Sequence, residues 1–175
     1  MRAVGFTGTE SGMTSAQEKG VKRLLRRLIR LAPVEDRPLF IHGGCRGADD
    51  QAAQQAHALG YSTMAWLGPD PDRRSEYRSD HEVPPLGEGP NAYLLRNEVI
   101  AQTCNFLIAA PKEQTEIVRS GTWSTVRYTR KEGKTVYVVQ PDGRIDRERT
   151  ADRPGRIAYR DLELGVDLRK VNWDA

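Results

Sequence analysis

The sequence predicts an α/β fold: a doubly wound, mainly parallel five-stranded sheet with helices on both faces and a short C-terminal appendage. Three observations carry this expectation. Short apolar runs alternate with segments of helical periodicity through most of the chain, which is the pattern of strand–helix–strand units. Glycine-rich turns stand where apolar runs end and helices begin. A third feature, the turn Pro141-Asp142-Gly143, closes the regular alternation and sets a domain over residues 1–143, with residues 144–175 as an extension packed on it.

Taken in order, residues 2–6 read as a first strand that runs into Thr7-Gly8-Thr9. Thr14 and Gln17 have capping-box spacing and open a helix over residues 15–31, whose Val21, Leu24, Leu25, Leu28 and Leu31 form one apolar stripe. Lys22, Arg23, Arg26, Arg27 and Arg30 occupy its other faces. A basic face of this kind fits a solvated surface helix better than a nucleic-acid contact, and a claim of nucleic-acid binding needs a located patch.

Leu39-Phe40-Ile41 forms the core of a second strand over residues 39–42. It enters the glycine-rich segment His42-Gly43-Gly44-Cys45-Arg46-Gly47-Ala48-Asp49, after which a helix over residues 47–59 carries Ala48, Ala52, Ala53, Ala56 and Leu59 at helical spacing. Gly60 sits where a left-handed cap residue is expected, and residues 62–67 make a third strand. Residues 68–90 hold five prolines, three glycines and many charges. They are too long and polar for a routine connection, and Arg73, Arg74, Tyr77 and Arg78 give them the means to close over a ligand.

The second half repeats the alternation. A helix over residues 91–103 leads to a strand over 105–110, and Ser120-Gly121-Thr122 opens a helix over 121–132. Gly133 ends that helix and residues 135–139 form the fifth strand. The tail mixes Arg and Asp densely and has short apolar patches at residues 157–159 and 162–166.

Composition bounds the function. The chain has 175 residues, 38% hydrophobic and 29% charged, which suits one soluble globular domain. No apolar run is long enough to cross a membrane and no secretory leader is visible, so a cytoplasmic location is expected. Two cysteines, Cys45 and Cys104, make no disulfide framework or paired metal motif, and His42, Cys45 and His57 are one ligand short of a zinc site. No metal or cofactor is expected. A net charge of +3 suits phosphorylated ligands without establishing nucleic-acid binding.

The glycine loops carry the chemistry. Gly43, Gly44 and Gly47 let backbone amides approach an anion without Cβ interference, ahead of a helix whose dipole favours negative charge. In a doubly wound sheet such loops converge at the C-terminal edge of the strands. Thr7, Gly8 and Thr9 supply a second loop, and Ser120, Gly121 and Thr122 a third, with two hydroxyls at a helix start. Thr7-Gly8-Thr9 does not continue as the dinucleotide-binding fingerprint, which argues against an ordinary NAD site. Arg46 and Arg96 can neutralise phosphate, and Asp49 and Asn97 can take hydrogen bonds from a sugar or base. Arg127, Arg130 and Lys131 form one basic stripe with Tyr128 beside it, as a single-strand DNA contact would need or a solvated surface would show.

In order along the chain, Gly5-Phe6-Thr7-Gly8-Thr9, His42-Gly43-Gly44-Cys45-Arg46-Gly47-Ala48-Asp49, Arg96-Asn97-Glu98-Val99-Ile100-Ala101 and Ser120-Gly121-Thr122-Trp123-Ser124-Thr125 resemble the SLOG superfamily of Rossmann-like domains. That superfamily includes DNA-processing protein A and the LOG-type phosphoribohydrolases, and small stand-alone bacterial and phage members look most similar. The resemblance covers about residues 1–143. It implies binding of a nucleotide or nucleotide-derived ligand in a sensing or capturing role, and a homodimer. One position departs from the phosphoribohydrolase pattern: Thr125 stands where that branch has glutamate, while Arg96 matches its arginine. Threonine offers no carboxylate for N-glycosidic hydrolysis, which favours binding, and Glu10, Glu98 and Glu116 are the candidates to replace it. Single-stranded DNA binding, as in DNA-processing protein A, is the other alternative.

Overall fold

A computed structural model describes residues 3–30 and 38–148. The end of the first predicted helix at residue 31 and nearly all of the predicted C-terminal extension, with its apolar patches, lie outside the described residues. In chain order the elements are β1 (Ala3–Gly8), α1 (Ser15–Ile29), β2 (Leu39–His42), α2 (Ala48–Ala58), β3 (Ser62–Trp66), a 3-10 turn (Pro71–Arg73), β4 (His81–Val83), α3 (Gly89–Thr103), β5 (Phe106–Ala110), α4 (Gly121–Lys131), β6 (Thr135–Val139) and β7 (Ile145–Glu148). The fold is α/β and Rossmann-like, as the sequence predicts.

The sheet is larger than expected. Among the described residues it has seven strands in the order β4-β3-β2-β1-β5-β6-β7, all parallel except β7, which runs antiparallel to β6. The two strands beyond the expected five are edge strands, short and weakly apolar. His81–Val83 lies inside the Pro- and Gly-rich 68–90 stretch and pairs only through Met64–Trp66. Ile145–Glu148 reads Ile-Asp-Arg-Glu, with no alternation to announce it, and continues the sheet past Gly143.

Strand periodicity sorts the core into two layers. Val4, Phe6, Phe40, Ile108 and Ala110 face α1 and α2, where they meet Val21, Leu25, Leu28 and the alanine face Ala48, Ala52, Ala53 and Ala56. Ala3, Leu39, Ile41, Leu107 and Ala109 face the other way, against Val99, Ile100, Trp123 and Val126 of α3 and α4. Burial on both faces explains why these strands are continuous apolar runs. Gly60 and Gly133 follow α2 and α4 with φ of 94° and 71°, the left-handed caps expected there.

The capping box forms as predicted. Thr14 Oγ1 accepts the Gln17 amide at 3.1 Å, and Gln17 Oε1 accepts the Thr14 amide at 3.0 Å. Gln17 does more than cap. Its buried Nε2 donates to the carbonyls of Pro111 (2.8 Å) and Val139 (2.9 Å), tying the start of α1 to the ends of β5 and β6.

Candidate functional site

The strand order turns back between β1 and β5, which pair directly, while the chain continues to β2 on one side and to β6 on the other. Loops leaving these two strands therefore diverge and open a crevice at their C-terminal ends. A cleft of about 360 Å³ lies there. One side is Gly8, Thr9, Glu10, Cys45, Arg73 and Arg96; the other is the β5–α4 loop and the first residues of α4.

Tight packing builds the first wall. A Cβ on Gly8 would lie 2.4 Å from the Ala48 Cβ, and one on Gly47 would lie 2.2 Å from the Glu10 carbonyl oxygen. The two glycines let the loop after β1 interlock with the start of α2, and the Ala48 amide donates to the Thr9 carbonyl at 3.0 Å. Thr7 is buried within β1 and does not line the cleft.

Amides of residues 43–46 and of Ala48 are engaged within the protein. Gly44 donates to His42 Nδ1 (3.1 Å), Arg46 to the Arg73 carbonyl (2.9 Å), and Cys45 to Asp49 Oδ2 (3.3 Å). Amides of Gly43 and Gly8 also hold the Asp49 carboxylate, so this side chain is the anion that the glycine loop surrounds. Burial pushes the Asp49 pKa up to about 6, against the opposing effects of the Arg96 charge and the three amides. His42 is fully buried; desolvation, with the Arg96 charge adding to it, lowers its pKa to about 3. Because Nδ1 accepts the Gly44 amide, the neutral ring carries its proton on Nε2 and donates it to Ser79 Oγ at 2.8 Å.

Arg96 joins this wall from α3 and is only 8% exposed. Its Nη1 donates to the Gly43 carbonyl (2.9 Å) and to Cys45 Sγ (3.2 Å), and Nη2 donates to Asn97 Oδ1 (3.2 Å). The guanidinium lies 5.1 Å from the centre of the Tyr93 ring, and its buried Nε has no hydrogen-bond partner. Gly43 is small for this reason: a Cβ there would stand 2.9 Å from the Arg96 Cζ. Asn97 donates in turn to the Gly121 carbonyl (3.3 Å), so it braces α3 against the start of α4.

The second wall presents open donors. Ser120 caps α4 by accepting the Trp123 amide at 3.4 Å, while Gly121 and Thr122 occupy the first turn, where amides have no intrahelical acceptor. Space beside Gly121 is open, with nothing within 4 Å of a Cβ placed there. Lys112, Glu113, Ile117 and Arg119 complete this side. Thr125 is fully buried and donates to the Gly121 carbonyl at 3.3 Å, so its hydroxyl supports the helix start from within.

Glu10 controls the rim. It accepts from Arg46 Nε at 2.7 Å and forms a second ion pair with Arg73 Nη2, and these partners hold its carboxyl below the usual range despite some burial. Arg73 also lies 5.4 Å from the centre of the Tyr93 ring, giving that ring a guanidinium from each of two elements.

Of the residues singled out from the sequence, the cleft brings together Gly8, Thr9, Arg96, Ser120, Gly121 and Thr122. Gly43, Gly44, Gly47, Asp49 and Asn97 stand behind them as support, and Arg46 is drawn to the rim by Glu10. Only Arg73 of the 68–90 candidates lines the cleft: Arg74 donates to the Gly68 carbonyl, Tyr77 meets Asp50 and Thr63, and Arg78 pairs with Glu82. The two arginines of the α4 stripe are paired as well, Arg127 with Glu116 and Arg130 with Glu116 and Glu148, while Lys131 is exposed. Lys112, Glu113, Arg119 and Tyr93 went unnoticed in the sequence. Lys112 and Glu113 follow closely on the central strand β5 at the switch point and Arg119 directly precedes the Ser120 cap, and those positions are the signals that could have found them.

No protein-family model matches the chain, and no curated protein matches its sequence. Solved structures do share its fold. A molybdenum cofactor binding protein from Rippkaea orientalis is 20% identical, with a TM-score of 0.58 over 79% of this chain and 76% of that one. The molybdenum cofactor carrier protein of Chlamydomonas reinhardtii is 20% identical, with a TM-score of 0.54 over 78% and 75%. DNA processing protein A (DprA) from Streptococcus pneumoniae is 22% identical, with a TM-score of 0.58 over 79% of this chain and half of the longer DprA chain. At these identities the likeness establishes a shared Rossmann-like fold.

Proposed function

We propose that the switch-point cleft binds a nucleotide or nucleotide-derived small molecule, with a phosphate at the start of α4. One observation carries this reading: the open first turn of α4, at Gly121 and Thr122, shares a single cleft with the buried Arg96, whose Nε is unpartnered. Arg73, Lys112 and Arg119 add positive charge around it, and helix dipole and guanidinium favour the same anion. Thr9, Ser120 and Thr122 supply hydroxyls for a sugar or a further phosphate oxygen. The Gly43–Gly47 loop contributes by holding Asp49 and Arg96 in place. Two structural neighbours named for the molybdenum cofactor support a small-molecule ligand in a cleft of this fold.

Binding is favoured over hydrolysis. Thr125 carries no carboxylate, and of the replacements the sequence offers Glu10 is tied to two arginines while Glu98 and Glu116 hydrogen-bond elsewhere, which leaves Glu113 as the other carboxylate on the cleft. Burial pushes the Cys45 thiol pKa up, which makes it a poor nucleophile. For single-stranded DNA, both arginines of the α4 stripe are paired with acids, and no aromatic ring lines the cleft among the described residues. A homodimer is supported by large apolar side chains left exposed, Leu94 and Leu95 on α3 with Ile117 and Val118 on the β5–α4 loop. No helix among the described residues is long and apolar enough to cross a membrane, and the unpaired Cys45 and Cys104 suit a cytoplasmic setting.

The test is thermal stabilisation by a panel of nucleoside mono-, di- and triphosphates, followed by product analysis. Gly121→Asp places a carboxylate in open space at a helix start, where it is compatible with the fold and repels an anion. We expect stabilisation of the native chain and none of the variant, with no free base released. Equal stabilisation of both proteins would place the ligand elsewhere.

A further inference from the structure

The outer face of α1 presents Lys19, Lys22, Arg23, Arg26, Arg27 and Arg30, six exposed cations lining one shallow hollow with no other residue type among them. At 3.6 residues per turn they cover an arc of roughly 140° and a length of roughly 16 Å. Val21, Leu24, Leu25 and Leu28 fill the opposite side and are buried. None of the six pairs with an acid among the described residues, and Glu18, at the edge of the face, accepts from Gln51 instead. The contrast with α4, whose arginines are paired, is direct.

This concentration is not a reflection of the overall composition. The chain has 27 Lys and Arg against 24 Asp and Glu, so without these six residues it would be net acidic by three charges. Like charges three and four residues apart destabilise a helix, and these six have no acidic partner among the described residues to offset that repulsion. Such a face is complementary to a polyanion.

We infer that the α1 face docks on the phosphate backbone of duplex DNA. Four of the six are arginines, whose planar guanidinium matches phosphate oxygens in pairs. The face holds no aromatic residue for bases to stack on, which disfavours single strands. Its aliphatic side chains all point into the core, leaving no apolar group to enter a lipid surface. A helix carrying cations across its outer arc suits the open major groove of B-DNA, about 12 Å wide, where both flanking phosphate rows are in reach. The deep, narrow major groove of duplex RNA lacks that opening. Phosphate contacts of this kind carry no sequence information. α1 runs from the C-terminal edge of the sheet toward its other end, which leads the stripe away from the cleft.

Fluorescence anisotropy with a labelled 20-base-pair duplex at several salt concentrations tests this. The quadruple variant K22Q/R23Q/R26Q/R27Q should bind at least about 10-fold more weakly at low salt. Its salt slope should flatten by about 0.9 for each phosphate contact removed. The variant relieves like-charge repulsion, so its melting temperature should not fall, and the double variant R26Q/R27Q should give an intermediate slope. Gly121→Asp should leave duplex binding unchanged, which separates this face from the nucleotide cleft. Unchanged affinity and slope in the quadruple variant would overturn the inference. So would tighter capture by phosphatidylserine vesicles, by single strands or by duplex RNA than by duplex DNA.

Discussion

Arg96 Nη1 donates to the Gly43 carbonyl oxygen at 2.9 Å, joining two residues 53 positions apart and fixing the guanidinium beside the Asp49 carboxylate. Arg96→Ala should therefore change Asp49 as well as the cleft. Without the nearby cation the Asp49 pKa should rise above its present value of about 6, read from the carboxyl carbon resonance in an NMR titration. Arg96→Lys keeps a positive charge but not the planar geometry, and should give a smaller rise. An Asp49 titration indifferent to both changes would show that the pair is not coupled.

Two buried groups give opposite pH dependences. Asp49 has a folded pKa raised from 3.8 to about 6, so its contribution to stability is full below pH 4 and falls as pH rises to 6. His42 has a folded pKa lowered from 6.5 to about 3, so its contribution is full above pH 6.5 and falls as pH drops toward 3. Between pH 4 and 6 they offset each other. Chemical unfolding across this window should show Asp49→Asn gaining stability with rising pH relative to the native chain, by at most about 3 kcal/mol. His42→Gln should show the reverse trend. Parallel curves for all three proteins would contradict the assignment.

Glu10 competes with any anionic ligand for Arg73 and Arg46. Glu10→Gln should free both guanidinium groups and tighten nucleotide binding several-fold, measured by isothermal titration calorimetry, with the gain shrinking at high salt. Weaker binding would assign Glu10 a direct contact with the ligand.

Gly8→Ala places a methyl group 2.4 Å from the Ala48 Cβ, between β1 and the start of α2. A destabilisation of about 1–3 kcal/mol is expected in urea unfolding. Pairing it with Ala48→Gly, which removes the opposing methyl, should recover part of the loss, whereas an additive outcome would rule out the clash as the cause.

Much of the frame was legible because its signals are local. The capping spacing of Thr14 and Gln17, the alanine face of α2 and the two-sided apolar runs each act over a few residues, and the structure follows them. Edge strands were not legible, because β4 and β7 take their pairing from a neighbour and not from their own sequences. The cleft was half legible. Glycine announced close approach at residues 8, 43 and 47, yet not whether the approaching group would be a ligand or Ala48, Arg96 and the Glu10 carbonyl. Asp49 reads in the sequence as a partner for a ligand hydroxyl, and only the fold shows it turned inward to the amides of its own loop.

The second carboxamide task of Gln17, holding the carbonyls of Pro111 and Val139, bears on how such a site can diversify. Pro111 begins the β5–α4 loop, so the start of the second wall is riveted to the core by a residue outside the cleft. Lys112, Glu113, Ile117 and Arg119 can then be exchanged like letters on a fixed keyboard. Replacing Gln17 would instead loosen the frame on which every ligand preference is written.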